Sequence, residues 1–192
     1  MSITYTELYE IVKEKIKSSR FIHSVSVADV AASLAERFSI DAEAARICGI
    51  YHDAYRYTDP SLYIDELEEY GIEIFPEEKE HPMLLHGAVA AMMFDKDAGP
   101  VPQEYKDAVR HHTLGSRDMG ALGALIYIAD YIEPGRKHLS DEERGIILSE
   151  PTLEGMIITI MDMQRPYFEK EGIREAGVSL ALYEYLRKGG KL

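Results

Sequence analysis

Apolar positions recur along most of this chain at the spacing of an α-helix. Leu8, Ile11, Val12 and Ile16 share one face behind Thr4-Tyr-Thr-Glu7, a capping-box pattern, which predicts a first helix starting there. A second is predicted from about Phe21 to Phe38, and a third opens at Asp41, a good N-cap, and reaches His52-Asp53. Asp59-Pro60 supplies another N-cap with proline in the first turn, and Gly71 a stop. The segment from Ile72 to His81, with proline beside acidic residues, reads as a loop. Further helices fit Pro82–Phe94, Pro102–His111, Met119–Ile132, Thr152–Lys170 and Val178–Lys188. No alternating stretch bounded by turn residues makes a strand, and no repeat or long linker gives a second domain a place to begin. The expectation is an all-α, single-domain helical bundle over residues 1–192.

Composition changes this picture in three ways. Of 192 residues, 46% are hydrophobic, enough to bury a core, and 21 basic against 34 acidic residues leave a net charge of −13. That balance argues against extended nucleic acid or an anionic membrane surface as partner, since both need a basic face. The one cysteine, Cys48, excludes an intramolecular disulfide framework, fits a reducing compartment and reads as a small core residue. No basic or apolar leader opens the chain and no stretch approaches the roughly 18 apolar residues of a membrane span, so a soluble, cytoplasmic protein is expected.

Chemistry enters through polar residues on apolar faces. His23 shares a stripe with Val27, Val30, Ala31 and Leu34; His52 shares one with Ala45 and Cys48 and is followed by Asp53. His86 lies with Met83, Val89, Ala90 and Met93, His112 ends the helix that holds Val109, and Asp130 follows Ile126 by one turn. An ionised aspartate on an apolar face is costly unless paired or metal-bound. Four helices each presenting an imidazole or a carboxylate inward therefore point to a centre for iron, manganese, zinc or another divalent ion, rather than to unconnected core polars.

The order His23, His52-Asp53, His86, His112, Asp130 resembles the HD-domain superfamily of metal-dependent phosphohydrolases, and within it the YqeK family of symmetrical diadenosine tetraphosphate hydrolases. The matching pieces are Gly49-Ile-Tyr-His52-Asp53, Leu85-His86-Gly87, His112-Thr113-Leu-Gly115, Met119 with Leu122, and Ala129-Asp130-Tyr-Ile-Glu133-Pro134-Gly135-Arg136. They span roughly residues 20 to 137, with the helices of 152–188 expected to pack on that core. The resemblance implies a metal held by His23, His52, Asp53 and Asp130, with iron as the usual ion, one in number, or two if His86 and His112 bind a second. It implies Asp53, His86, His112 and Arg136 as catalytic groups. The substrate-facing set it implies is His23, Asp53, Ala54, Tyr55, Arg56, His86, His112, Thr113, Asp130, Arg136, Ser179 and Tyr183. The implied reaction is attack of a metal-generated hydroxide on a central phosphate, giving two molecules of ADP.

Several positions depart from the family pattern, among them Gly177 and Ser179 where proline and threonine are usual. Arg56 replaces a lysine, exchanging a point charge for a planar fork; Gly123 replaces an aspartate; and Glu184 follows Tyr183 where asparagine is usual. Two other readings of function remain: an HD-type enzyme for another nucleotide (a deoxynucleotide, a nucleoside triphosphate or a guanosine alarmone), and a non-catalytic nucleotide- or metal-binding regulatory module. Away from the motifs, Arg110 and Arg117 read as solvated surface charges, and His81 and His138 as surface histidines. Tyr51, Tyr55 and Tyr57, which crowd the His-Asp pair, read as helix-interface residues before they read as a platform for adenine. The Met156–Met163 stretch reads as core, with a homodimer seam as the alternative.

Overall fold

The Thr4 hydroxyl accepts the Glu7 amide at 3.3 Å and the Glu7 carboxylate accepts the Thr4 amide at 2.9 Å, so helix α1 (Tyr5–Lys15) begins at its capping box. The computed structural model describes residues 3–192; Met1 and Ser2, the start of the N-terminal leader reading, lie outside it. All regular structure among the described residues is helical, as the periodicity predicts. Helix α2 (Ser18–Phe38) starts a turn before Phe21, and α3 (Ala42–Tyr51) is capped by the Asp41 carboxylate, which accepts the amides of Glu43 and Ala44. A 3₁₀ turn over Pro60–Tyr63 leads into α4 (Ile64–Glu69).

Two elements differ from expectation. The 72–81 loop contains a short helix, α5 (Pro76–Glu80), because Pro76 presets its first turn and the Glu78 carboxylate accepts the Phe75 amide at 2.9 Å. After α6 (His86–Ala98), α7 (Gln103–His111) and α8 (Gly120–Ile132) comes α9 (Asp141–Ser149), which the apolar periodicity did not predict. Its signal is a second capping box, Ser140 with Glu143, and only Ile147 of its length is buried. Helices α10 (Leu153–Glu171) and α11 (Gly177–Arg187) complete the chain.

Helix α2 packs along α3 and α8, α7 lies between α6 and α8, and α10 closes over α8 with α11 on its outer side. The tight approach of α2 and α3 depends on Gly49, where a Cβ would meet the Ala28 Cα at 2.6 Å. At Gly87 a Cβ would reach the Val109 carbonyl at 3.0 Å and the His112 ring at 3.2 Å, so a small residue there lets α6 and α7 bring their histidines together. Cys48, Met156, Ile157 and Ile160 are fully buried, which makes the methionine-rich stretch core. No helix of the described residues is long and apolar enough to cross a membrane.

Candidate metal centre

Six of the inward-facing residues converge where α2, α3, α6, α7 and α8 meet. Asp53 follows α3 directly and is their hub: its Oδ2 lies 3.2 Å from His52 Nε2 and 3.7 Å from His23 Nε2, its Oδ1 3.1 Å from His86 Nε2 and 4.0 Å from His112 Nε2. Asp130 Oδ1 lies 2.9 Å from His23 Nε2 and 3.8 Å from His52 Nε2. His86 and His112 place their Nε2 atoms 3.0 Å apart.

Where the protons sit decides what this cluster can do. His52, His86 and His112 each put Nδ1 at 2.7 Å from a main-chain carbonyl three residues earlier, those of Gly49, Met83 and Val109. His23 puts Nδ1 at 3.0 Å from Glu133 Oε1. A carbonyl or carboxylate oxygen only accepts, so each Nδ1 carries the proton and each Nε2 presents a lone pair to the centre. Four imidazole lone pairs and two carboxylates thus face one another. His23 Nε2 and His52 Nε2 are buried without a hydrogen-bond partner. Acceptors crowded this way repel until a cation sits among them. The donor set fits a divalent ion, and His23, His52 and Asp130, or His52, Asp53 and His112, offer atoms within 4.8 Å of one another.

The charges agree with this reading. Burial opposes ionisation of Asp53 and Asp130, yet His52 and His86 beside the first, and His23, His52 and Arg136 beside the second, hold both carboxyls below their ordinary range. Burial likewise opposes charge on His52, but the Asp53 carboxylate outweighs it and raises that pKa. Burial, reinforced by His52 and His86, pushes His112 down to about 3, so it is neutral at pH 7. Below that raised pKa His52 takes up a second proton, on Nε2, which an incoming ion must displace. Divalent-metal affinity is expected to fall roughly tenfold per pH unit below the His52 pKa, with one proton released per ion bound. Calorimetric titration with Mn²⁺ in buffers of differing ionisation enthalpy, between about pH 8 and about pH 5, checks this. An affinity independent of pH would contradict it.

Two residues of the centre were not read from the sequence. Arg20 donates from Nη1 to Asp53 Oδ2 at 2.9 Å. It stands one helical turn before His23, and that i, i+3 spacing was the available signal. Glu133 lay inside the quoted octapeptide without a role; it is buried and backs His23.

The remaining candidates are spread more widely. Arg136 donates to the Asp130 carbonyl at 2.7 Å and to the Asp130 carboxylate. The Thr113 hydroxyl lies 3.3 Å from His112 Nε2, and Arg56 Nη1 sits behind His86, 3.0 Å from its Nδ1 and 3.4 Å from the Met83 carbonyl. A cavity of about 910 Å³ begins at His112, Thr113 and Asp130 and runs between α5 and the segment joining α10 to α11, with Ser179 on its wall. The Ser179 hydroxyl donates to the Leu114 carbonyl at 2.6 Å. Ala54, Tyr55 and Tyr183 are not among the residues that line it. The Tyr55 and Tyr51 hydroxyls donate to Asp97, and the Tyr183 hydroxyl donates to Asp162 under the Arg165 guanidinium. The aromatic walls of the cavity are Tyr127, Tyr131 and Phe168.

Other expectations need correction. Arg110 is not a surface charge: it is buried and pairs bidentately with Glu78 at 2.6 and 2.8 Å, because α5 folds over the end of α7. Arg117, by contrast, is exposed as expected, its guanidinium resting on the Ala181 carbonyl at 3.0 Å and the Tyr185 ring. His81, though exposed, stands on the cavity rim, while His138 stays on the surface.

Residues 20–135 match the HD domain family. The chain belongs to the HD domain family. Two relatives are named symmetrical bis(5'-nucleosyl)-tetraphosphatases: that of Bacillus subtilis (strain 168) is 31% identical over 84% of this chain and 90% of its own, and that of Staphylococcus aureus (strain NCTC 8325 / PS 47) is 34% identical over 78% and 77%. A predicted HD superfamily hydrolase involved in NAD metabolism from Clostridium acetobutylicum, of known crystal structure, superimposes with a TM-score of 0.86 at 26% identity, covering 98% of this chain and all of that one. The HD segment holds every residue of the acceptor cluster from His23 to Asp130, whereas α10 and α11, which wall the cavity, lie beyond it.

Proposed function

We propose that this chain is a metal-dependent hydrolase that cleaves diadenosine tetraphosphate symmetrically into two molecules of ADP, with iron in its centre. The observation that carries the reading is the junction of an acceptor-only cluster with the end of a long cavity of about 910 Å³, in a chain whose relatives are named symmetrical bis(5'-nucleosyl)-tetraphosphatases. Mixed imidazole and carboxylate donors suit iron, with manganese and zinc as competitors. His23, His52, Asp53 and Asp130 would hold the ion, which when bound supplies a Lewis acid that acidifies water and offsets phosphoryl charge.

The chain's own residues do the rest. Arg20 and Arg136 each touch a ligand carboxylate and stay about a quarter exposed, at 23% and 26%, so both guanidiniums keep donors free for phosphoryl oxygens. His112, neutral at pH 7, is too weak a base to take a proton from water and serves with Thr113 to orient it. His86 completes that side of the site and Arg56 supports it from behind. A water oxygen bonds to one central phosphorus while the bridging oxygen leaves with the other ADP, a weakly basic leaving group that needs no protonation, and the proton lost from the water passes to solvent. Tyr131 and Phe168 provide apolar faces for one adenine. Residues 1–192 would work as one domain, because α8 and α10 share the walls of a single cavity.

Incubation of metal-loaded protein with diadenosine tetraphosphate, with the products separated by anion exchange, is expected to give ADP alone. ATP with AMP would exclude symmetrical cleavage, and the absence of turnover across a nucleotide panel would favour the regulatory-module reading. Metal analysis of the same sample counts the ions: one per chain is expected, and two would assign His86 and His112 to a second.

A further inference from the structure

The four imidazoles are not held alike. Three give their Nδ1 proton to a carbonyl of their own helix or turn, three residues back. Only His23 gives it to a carboxylate, that of Glu133, which is 110 residues away in sequence. Helix α8 ends just before Glu133, whose φ of −56° and ψ of 146° take the chain out of the helix, as the following Pro134 requires. That exit turns the side chain inward against α2, where it is 2% exposed.

Every feature of the turn holds this carboxylate in one place. Its Oε1 accepts from His23, and its Oε2 accepts the Gly135 amide at 2.6 Å. A Cβ on residue 135 would sit 2.9 Å from both carboxylate oxygens, so only glycine leaves room for them. The Arg136 amide bonds back to the Glu133 carbonyl at 3.0 Å, while the Arg136 side chain reaches Asp130. Arg144 donates to the Ile132 carbonyl at 2.6 Å and to the Glu133 carbonyl at 3.4 Å, bracing the main chain without touching the carboxylate.

We propose that Glu133 is a positioning residue for the metal centre: its carboxylate fixes the His23 tautomer that aims an Nε2 lone pair at the ion, and Gly135 is small to leave the carboxylate room. The inference rests on the reading that His23 is a metal ligand. The physical ground is general. A ligating imidazole whose other nitrogen donates to an anion is a stronger and better oriented ligand, and loss of such a partner costs about 10–100-fold in metal affinity. Glu133→Gln keeps the side-chain volume but has one acceptor oxygen for two donors, so either His23 or Gly135 loses its partner.

Mn²⁺ titration of metal-free protein, followed by calorimetry, tests the proposal. Glu133→Gln and Gly135→Ala are each expected to bind Mn²⁺ about 10–100-fold more weakly than the unmodified chain, with unchanged far-ultraviolet circular dichroism. The His23 Nδ1 proton resonance is expected to move upfield in Glu133→Gln, which a loss of packing alone would not cause. Arg144→Ala, which cuts the main-chain brace and spares the carboxylate, is expected to bind Mn²⁺ as the unmodified chain does. Unchanged Mn²⁺ affinity in Glu133→Gln, or an equal loss in Arg144→Ala, overturns the positioning role. Failure of the unmodified chain to bind any divalent ion would instead overturn the metal reading itself.

Discussion

Asp53→Ala is expected to abolish stable divalent-metal binding and lower hydrolysis at least about 10²–10³-fold, the scale on which removal of one preorganised polar group is felt in an active site. The effect is large because Asp53 lies between all the others. One of its oxygens faces His52 and Arg20, the other faces His86 and His112. Alanine removes both anionic oxygens at once. The Arg20 guanidinium, 2.9 Å from Asp53 in the intact chain, then faces a set of imidazoles with one carboxylate fewer to hold a cation. Because Asp53 follows α3 and caps nothing, helix content should hold, which circular dichroism checks alongside metal analysis of the purified variant. A variant that keeps its ion and turns over at the unmodified rate would remove Asp53 from the centre.

Glu78→Ala is expected to cost about 3–5 kcal/mol of stability, the range for stripping one partner from a buried ion pair. For a chain of this size that lowers the melting temperature by about 6–20 °C. Arg110 would keep the Glu73 carbonyl at 2.7 Å and the face of Phe75, but neither carries a charge. The same carboxylate accepts the Phe75 amide, so α5 loses its N-terminal closure as well. Since Pro76, Glu77 and Glu80 of α5 wall the cavity, substrate KM should rise in the variant while metal content stays the same. Replacing both Glu78 and Arg110 by methionine is expected to recover much of the melting temperature, as apolar substitutes for buried ion pairs do. A single-variant melting temperature within about 2 °C of the parent's would show that the pair contributes little.

Helix α9 and Arg110 show how far local pattern reached. The apolar stripes of α2, α3, α8 and α10 are long enough to identify those helices, because burial of a whole face imposes the helical period on sequence. Helix α9 buries only Ile147, so its stripe carries no period and its capping box was its one sign. Arg110 illustrates the opposite failure. Most arginines are solvated, and the buried acid that makes this one an exception lies 32 residues away in a segment too short and polar to read as a helix.

The spacing of apolar residues by itself determined that the protein is helical and that His23, His52, Asp53, His86, His112 and Asp130 stand where apolar residues are expected. Both conclusions follow from the 3.6-residue period, a property of each helix alone. The motif spacing added the family. What only the tertiary structure decided is which atom meets which: that four Nε2 lone pairs and two carboxylates share one centre, that Arg20 joins Asp53, that Glu133 backs His23, and that α5 and the 172–177 segment enclose the cavity. These depend on how closely helices distant in sequence approach one another, as Gly49 and Gly87 permit, and on where long side chains turn after leaving the backbone. Periodicity says which way a Cβ points and nothing about what waits there.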